Sequence, residues 1–249
     1  MNFSTKRKLP RSFGCLIVGF LTLLSCEYCA VRSPPGWWKA GRARKRLGSV
    51  AEAELLSHLA VLLLPEEPIR ELFRDFPAER NEGWSRNTLS PDLAVYGALQ
   101  AQEAALFLEY DGYCRHLKPR GILADTRKSQ ALLDASPAGS YVLRIAHAHR
   151  GLQCSCEMGE VVIESWQMGR ECSLVKALRQ IVEFLLTLQG SKLQPRLKSR
   201  LQQFMDDPVG TSRVAAAEFT DQVATERDSD FDPAHLHEFL QLQLGLSPS

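Results

Sequence analysis

Two short apolar runs, Leu93-Ala-Val-Tyr96 and Ala104-Ala-Leu-Phe-Leu108, stand only seven residues apart. Each has the length of a buried strand and is bounded by turn-forming residues, so a hairpin is the economical connection. The pair commits the chain to a sheet, and the periodicity on either side says what covers it. Upstream, Ser49-Val-Ala-Glu52 forms a capping box, in which the Ser hydroxyl takes the amide three residues on and the Glu carboxylate reaches back. A helix starts there, with Leu55, Leu56, Leu59, Val61, Leu62 and Leu63 as its apolar face, and Pro65 ends it because proline cannot donate to the ladder. Residues 75–91, rich in charge, Asn, Ser, Pro and Gly, read as a loop. Downstream, residues 123–135 read as a helix, Tyr141 to Ile145 and Val161 to Ile163 as strands. Leu174, Leu178, Ile181, Val182 and Leu185 mark a long amphipathic helix. This order predicts an α/β fold with a mixed sheet flanked by helices.

With 45% hydrophobic and 24% charged residues, the chain is neither collagen-like, nor a coiled coil, nor wholly disordered. Its 249 residues suit one folded domain with appendages. The formal net charge of +1 conceals an asymmetry: residues 1–50 hold ten Lys/Arg against Glu27 alone, and residues 201–249 hold nine Asp/Glu against Arg213 and Arg227. Three segments are expected: a presequence over 1–46, the α/β domain over 49–190, and an acidic, partly helical tail over 191–249. The tail, rich in Gln, Asp and Ser with weak helical patches such as His235 to Leu244, reads as loosely attached. Seven cysteines, an odd number without regular spacing, do not make a disulfide framework. His147 and His149 with Cys154 and Cys156 supply four zinc-type ligands, but one residue between the paired cysteines is tighter than zinc sites use.

The head has the layout of a secretory signal peptide. Lys6, Arg7, Lys8 and Arg11 precede an apolar run from Phe13 to Ser25, shorter than the ~20 residues of a membrane span. Val31 to Arg46 then carries six basic residues and no acid, the composition of a transit peptide. Together they predict delivery to an organelle, of plastid type, through the secretory route; the alternatives are a secreted or a membrane-anchored protein. Trp37-Trp38 beside basic residues has the make-up of a nucleic-acid-binding arm.

The chemistry is expected further on. Along a strand, period two places Glu109 and Asp111 on one face with Tyr110 opposite, and Asp92 on the preceding strand can lie beside them if the hairpin register is right. Three clustered carboxylates repel one another unless a divalent cation sits between them, and hard oxygen ligands select Mg²⁺ or Mn²⁺. Such a site is the usual device for cutting a phosphodiester. Arg115, Lys118, Arg120, Arg127 and Lys128 are candidate phosphate contacts, whether the protein cuts nucleic acid or only binds it.

Asp92, then Glu109-Tyr-Asp111-Gly followed by His116, then Asp125-Thr-Arg-Lys128 and a strand of the type Val-Leu-Arg-Ile, resembles the PD-(D/E)XK nuclease superfamily, most closely its very-short-patch-repair-like endonuclease branch. The resemblance spans residues 49–188 and implies a restriction-endonuclease-like core. It implies that Asp92 and Glu109 bind the metal, with Asp111 joining them, and that His116 is general base or phosphate contact. Lys128 would neutralise the transition state, and a helix-1 acid, Glu54 in preference to the capping Glu52, would be a further ligand. Two departures are plain: Asp111 replaces the lysine of the superfamily's Glu-x-Lys, and one extra residue lies between Gly112 and His116. The arrangement is also similar to the RAP domain, which implies a catalytically silent DNA- or RNA-binding module. A third alternative is a membrane-anchored interaction protein.

Overall fold

A computed structural model describes residues 50–63, 76–167 apart from 102, 113 and 153, and 171–225. The presequence, Trp37-Trp38, the Ser49 cap, Pro65 and the patch from His235 to Leu244 lie outside the described residues. The elements in chain order are α1 (Val50–Leu63), β1 (Phe76–Pro77), β2 (Thr88–Leu89), β3 (Leu93–Tyr96), β4 (Ala105–Asp111), a 3₁₀ turn (Cys114–Leu117), α2 (Pro119–Asp134), β5 (Tyr141–Ala146), β6 (Met158–Val162), α3 (Glu171–Gln189), α4 (Pro195–Asp206) and α5 (Pro208–Thr225).

The four-stranded sheet runs β3-β4-β5-β6 and is mixed. The expected hairpin is present, with β3 antiparallel to β4 and Leu93 opposite Leu108. From β4 the chain crosses through α2 and returns as β5, parallel to β4, and β6 extends the parallel part. Strand alternation divides the sheet into two faces. Leu93, Val95, Leu106, Leu108, Tyr141, Leu143, Ile145 and Val161 point to the rear, into a large apolar core with α1, α3, α4 and α5. Ala94, Tyr96, Ala105, Phe107 and Val142 point to the front, against Ala131 and Leu132 of α2. Among the described residues no helix is long and apolar enough to cross a membrane.

Several elements differ from their sequence expectation. Helix α1 is buried on all sides from Glu54 to Leu63, because it is enclosed by β3, α3, α4 and α5 rather than lying on the surface with one apolar stripe. The region read as a loop contains the two-residue ladder β1-β2. Helix α2 begins at Pro119, before the apolar pattern does, since a proline in the first turn gives up no needed hydrogen bond. Strand β6 begins at Met158, where Gly159 and Glu160 break the apolar run.

The largest correction concerns the segment after Gly190, expected to be loosely attached. Leu197, Leu201, Phe204 and Ala215 belong to the main core, and α4 and α5 pack on α1 and α3. Backbone bonds fasten the entry to this unit. Gln100 donates to the Lys192 carbonyl (2.8 Å) and Gln194 to the Ala98 carbonyl (2.8 Å), on either side of a bridge between Leu99 and Leu193. The helical pair through Thr225 is thus part of the folded unit.

Candidate functional site

The register of the sheet places charge on its front face in a row. Glu109 lies opposite Arg144, and Arg144 opposite Glu160. Asp92, immediately before β3, enters at the same end, because the start of an antiparallel strand meets the carboxyl ends of its parallel neighbours. Above the row, α2 presents Asp125, Lys128, Ser129 and Leu132, spaced as one helical face. The front of the sheet is therefore apolar near Phe107 and Leu132 and charged beyond Leu108.

At one end of the row, Asp92 and Glu109 share a lysine. Lys128 Nζ lies 2.5 Å from Glu109 Oε2 and 3.7 Å from Asp92 Oδ1. The two carboxylates are consequently closer than the ~8 Å beyond which ~2.1 Å oxygen ligands cannot share a cation. Asp92 is held in place by the Tyr110 amide, which donates to its Oδ2 at 2.7 Å.

Behind this group sits a buried ion network. The Arg144 guanidinium, 1% exposed, grips Asp111 with both arms, Nε to Oδ2 at 2.8 Å and Nη2 to Oδ1 at 2.6 Å, and reaches Asp125 Oδ1 at 3.2 Å and Ser129 Oγ at 3.0 Å. Arg150, carried in by the loop between β5 and β6, bridges Asp111 (2.7 Å), Asp125 (3.0 Å) and Glu160 (2.5 Å). Burial alone would lower the Arg144 pKa, but the carboxylates of Glu109, Asp111 and Asp125 raise it. Burial likewise works against the Asp125 carboxylate, yet the His116 hydrogen bond and the charges of Arg144 and Arg150 hold its pKa below the ordinary value.

His116 closes the network from the 3₁₀ turn. Its Nδ1 lies 2.8 Å from Asp125 Oδ2 and 3.0 Å from Asp111 Oδ1, and its Nε2 accepts from Arg115 Nε at 3.1 Å. These partners assign the ring proton to Nδ1. The turn can approach α2 this closely because residue 121 is glycine; a Cβ there would collide with the Arg115 carbonyl.

Asp111, His116 and Asp125 offer ligand atoms within 4.8 Å of one another, a spacing that could hold a metal ion. Two guanidiniums already occupy the carboxylate oxygens there, so a cation at that point would meet like charge. Asp92 and Glu109 lie on the Lys128 side of this cluster, with Arg144 Nη1 3.9 Å from Glu109 Oε2. They open on a cleft of about 780 Å³, whose lining includes Arg115, Lys118, Arg120, Arg127 and Lys128, and also Glu52, Trp84 and Arg86.

The structure thus gathers Asp92, Glu109, Asp111, His116 and Lys128, and places Arg115, Lys118, Arg120 and Arg127 around the same opening. It does not bring Glu54 there. Glu54 is buried and its Oε2 accepts from Trp166 Nε1 at 2.9 Å. Two residues along a helix turn the side chain through about 200°, so it is Glu52 that faces the cleft. The zinc-type quartet does not form either: His147 pairs with the Tyr110 hydroxyl, while Cys154 and Cys156 are exposed and free. Arg150 and Trp84 carried no local signal, being single residues in irregular segments. Arg144 did, since an arginine inside an apolar strand demands acids opposite it. Scanned against family models, curated proteins and solved structures, the chain gives no match.

Proposed function

We propose that the protein is a metal-dependent phosphodiesterase acting on nucleic acid, with Asp92 and Glu109 as its metal ligands. One observation carries this reading: two carboxylates converge on a single lysine at the floor of a cleft rimmed by arginines and lysines. A basic rim suits a phosphate backbone, and an acidic floor repels phosphate unless a cation stands between them. The donors fit the ion, since carboxylate oxygens are the hard ligands that Mg²⁺ or Mn²⁺ takes. A divalent ion held by Asp92 and Glu109 would supply positive charge to a phosphate oxygen and lower the pKa of a coordinated water. The chain's own groups do the rest. Tyr110 fixes Asp92, Lys128 stabilises negative charge developing on phosphorus-bound oxygen, and His116, its Nδ1 proton anchored between two acids, keeps Nε2 as the proton acceptor. Arg115, exposed and bonded to that nitrogen, exchanges it for a phosphate oxygen. Residues 1–46 support action inside an organelle reached through the secretory route, which N-terminal sequencing of the mature protein tests.

A specific observation favours a second reading, a catalytically silent nucleic-acid-binding module. Lys128 already stands between the two acids where a metal ion would otherwise be needed. Titration of Mg²⁺ and Mn²⁺ against labelled DNA and RNA, scoring binding and cleavage together, separates the two. Under the first reading Asp92→Asn or Glu109→Gln lowers metal-dependent cleavage by about a hundredfold or more, with affinity unchanged or tighter because a repelling anion is gone. Under the second, the wild type binds but cuts nothing at any metal concentration. Cleavage that survives both substitutions and chelation would refute the assignment of these ligands.

A further inference from the structure

One wall of the cleft is a tryptophan. Trp84 sits in the irregular segment between β1 and β2, half-buried against the front core and among the residues that line the cleft. Its pose is fixed by bonds that do not involve the cleft. The indole Nε1 donates to the Thr88 carbonyl at 3.0 Å, the Trp84 amide donates to Asn81 Oδ1 at 2.7 Å, and the Asn81 amide donates back to the Trp84 carbonyl at 2.8 Å. Arg86, also in the lining, holds its guanidinium carbon 6.0 Å from the ring centroid. A large aromatic held rigid beside the cationic rim of an opening offers an extended π surface there, and the side chain that lies over it, Arg86, is itself a phosphate-type contact.

From this placement we infer that the cleft takes an unpaired nucleotide, its base stacked on Trp84 and its phosphate among Arg115, Lys118 and Lys128; the inference rests on the nucleic-acid reading proposed above. Base–aromatic stacking needs a free π face. A base inside a duplex has both faces covered by its neighbours, so the tryptophan is useful only to a single strand, a loop, an end or a base swung out of the helix. Arg86, which lies over the ring, gives up its cation–π contact to the incoming base and turns its charge to the flanking phosphate. The substrate class is therefore single-stranded or locally unpaired nucleic acid, not continuous duplex.

The test uses the full chain with Ca²⁺ in place of Mg²⁺ or Mn²⁺, so that a cation stands on the acidic floor, and fluorescence anisotropy with three probes checked on a gel to be uncut: a short labelled single strand, the same sequence as duplex, and the same strand with abasic residues. Trp84→Ala is expected to weaken the single strand about tenfold or more while leaving the duplex within about twofold. Trp84→Phe, which keeps a ring but loses the bond to Thr88, retains most of the affinity, so a loss confined to the alanine variant belongs to the ring and not to damage of the loop. The abasic strand should bind the wild type as weakly as the intact strand binds Trp84→Ala. Equal weakening of single strand and duplex, or an abasic strand bound as well as the intact one, overturns the inference. Arg115→Ala with Lys118→Ala serves as the control on the underlying reading. If that pair weakens both strand forms and Trp84→Ala changes neither, only the stacking inference fails; if neither change alters binding, the nucleic-acid reading fails with it.

Discussion

Arg144 is 1% exposed and touches Asp111, Asp125 and Ser129, so no apolar replacement can fill its place without stranding buried acids. Breaking one partner out of a buried network costs roughly 3–5 kcal/mol, and Arg144→Met should lose stability on that scale in a urea titration. Arg144→Lys is also expected to lose much of it, because a single ammonium cannot reproduce the two-armed grip on Asp111. A midpoint unchanged in either variant would mean that Asp111 and Asp125 find other partners. Asp125 sets the acid side of the same network. With its folded pKa below the ordinary value, it binds fewer protons folded than unfolded. Its contribution is thus complete above the unfolded pKa of about 3.9 and disappears as pH falls through the lower folded value. Denaturation midpoints followed downward from pH 5 should fall more steeply for the wild type than for Asp125→Asn. The acids of this network are legible in the sequence because period two joins Glu109 to Asp111 and Asp125 lies one helical turn from Lys128. Arg150 is not legible, since its burial is decided by a loop that only the folded sheet positions.

At the scale of elements, the hairpin, α2, β5 and α3 are readable because each is both apolar enough and regular enough to specify its own period. Helices α4 and α5 are the contrary case. Leu197, Leu201 and Phe204 form a proper helical stripe, but Arg, Lys, Gln and Asp around them dominate the composition and give the segment the look of a solvated tail. What the composition hides is that α1, unusually apolar on every side, needs a polar-backed cover. Leu201→Ala should therefore cost about 2–5 kcal/mol, as for any fully buried leucine. The comparison to make is with Leu59→Ala in α1, at equal burial, by chemical denaturation. A loss for Leu201→Ala under about 1 kcal/mol would restore the idea of a tail.

Over the whole molecule the net charge is close to zero, so affinity for a polyanion has to come from local placement and not from overall attraction. Arg115, Lys118, Arg120 and Arg127 supply it at the cleft rim, and all four are exposed there. Each one that neutralises a phosphate contributes about one unit to the slope of log affinity against log salt. Replacing them one by one with alanine, and measuring binding across a salt series, should flatten the slope stepwise; a slope that stays put assigns the phosphate contacts elsewhere. The sheet separates two kinds of residue. The side chains behind it, from Leu55 to Phe204, hold the chain folded, while Asp92, Glu109, Lys128 and the rim in front carry the proposed chemistry. Selection can therefore act on the exposed rim separately from the rear core, while the buried Arg144 network answers to both. A descendant that exchanged two or three exposed rim side chains, leaving the Arg144 network intact, would change what the cleft holds without first having to survive a loss of its fold, and a stabilised version could be made entirely from the rear without altering what the cleft does.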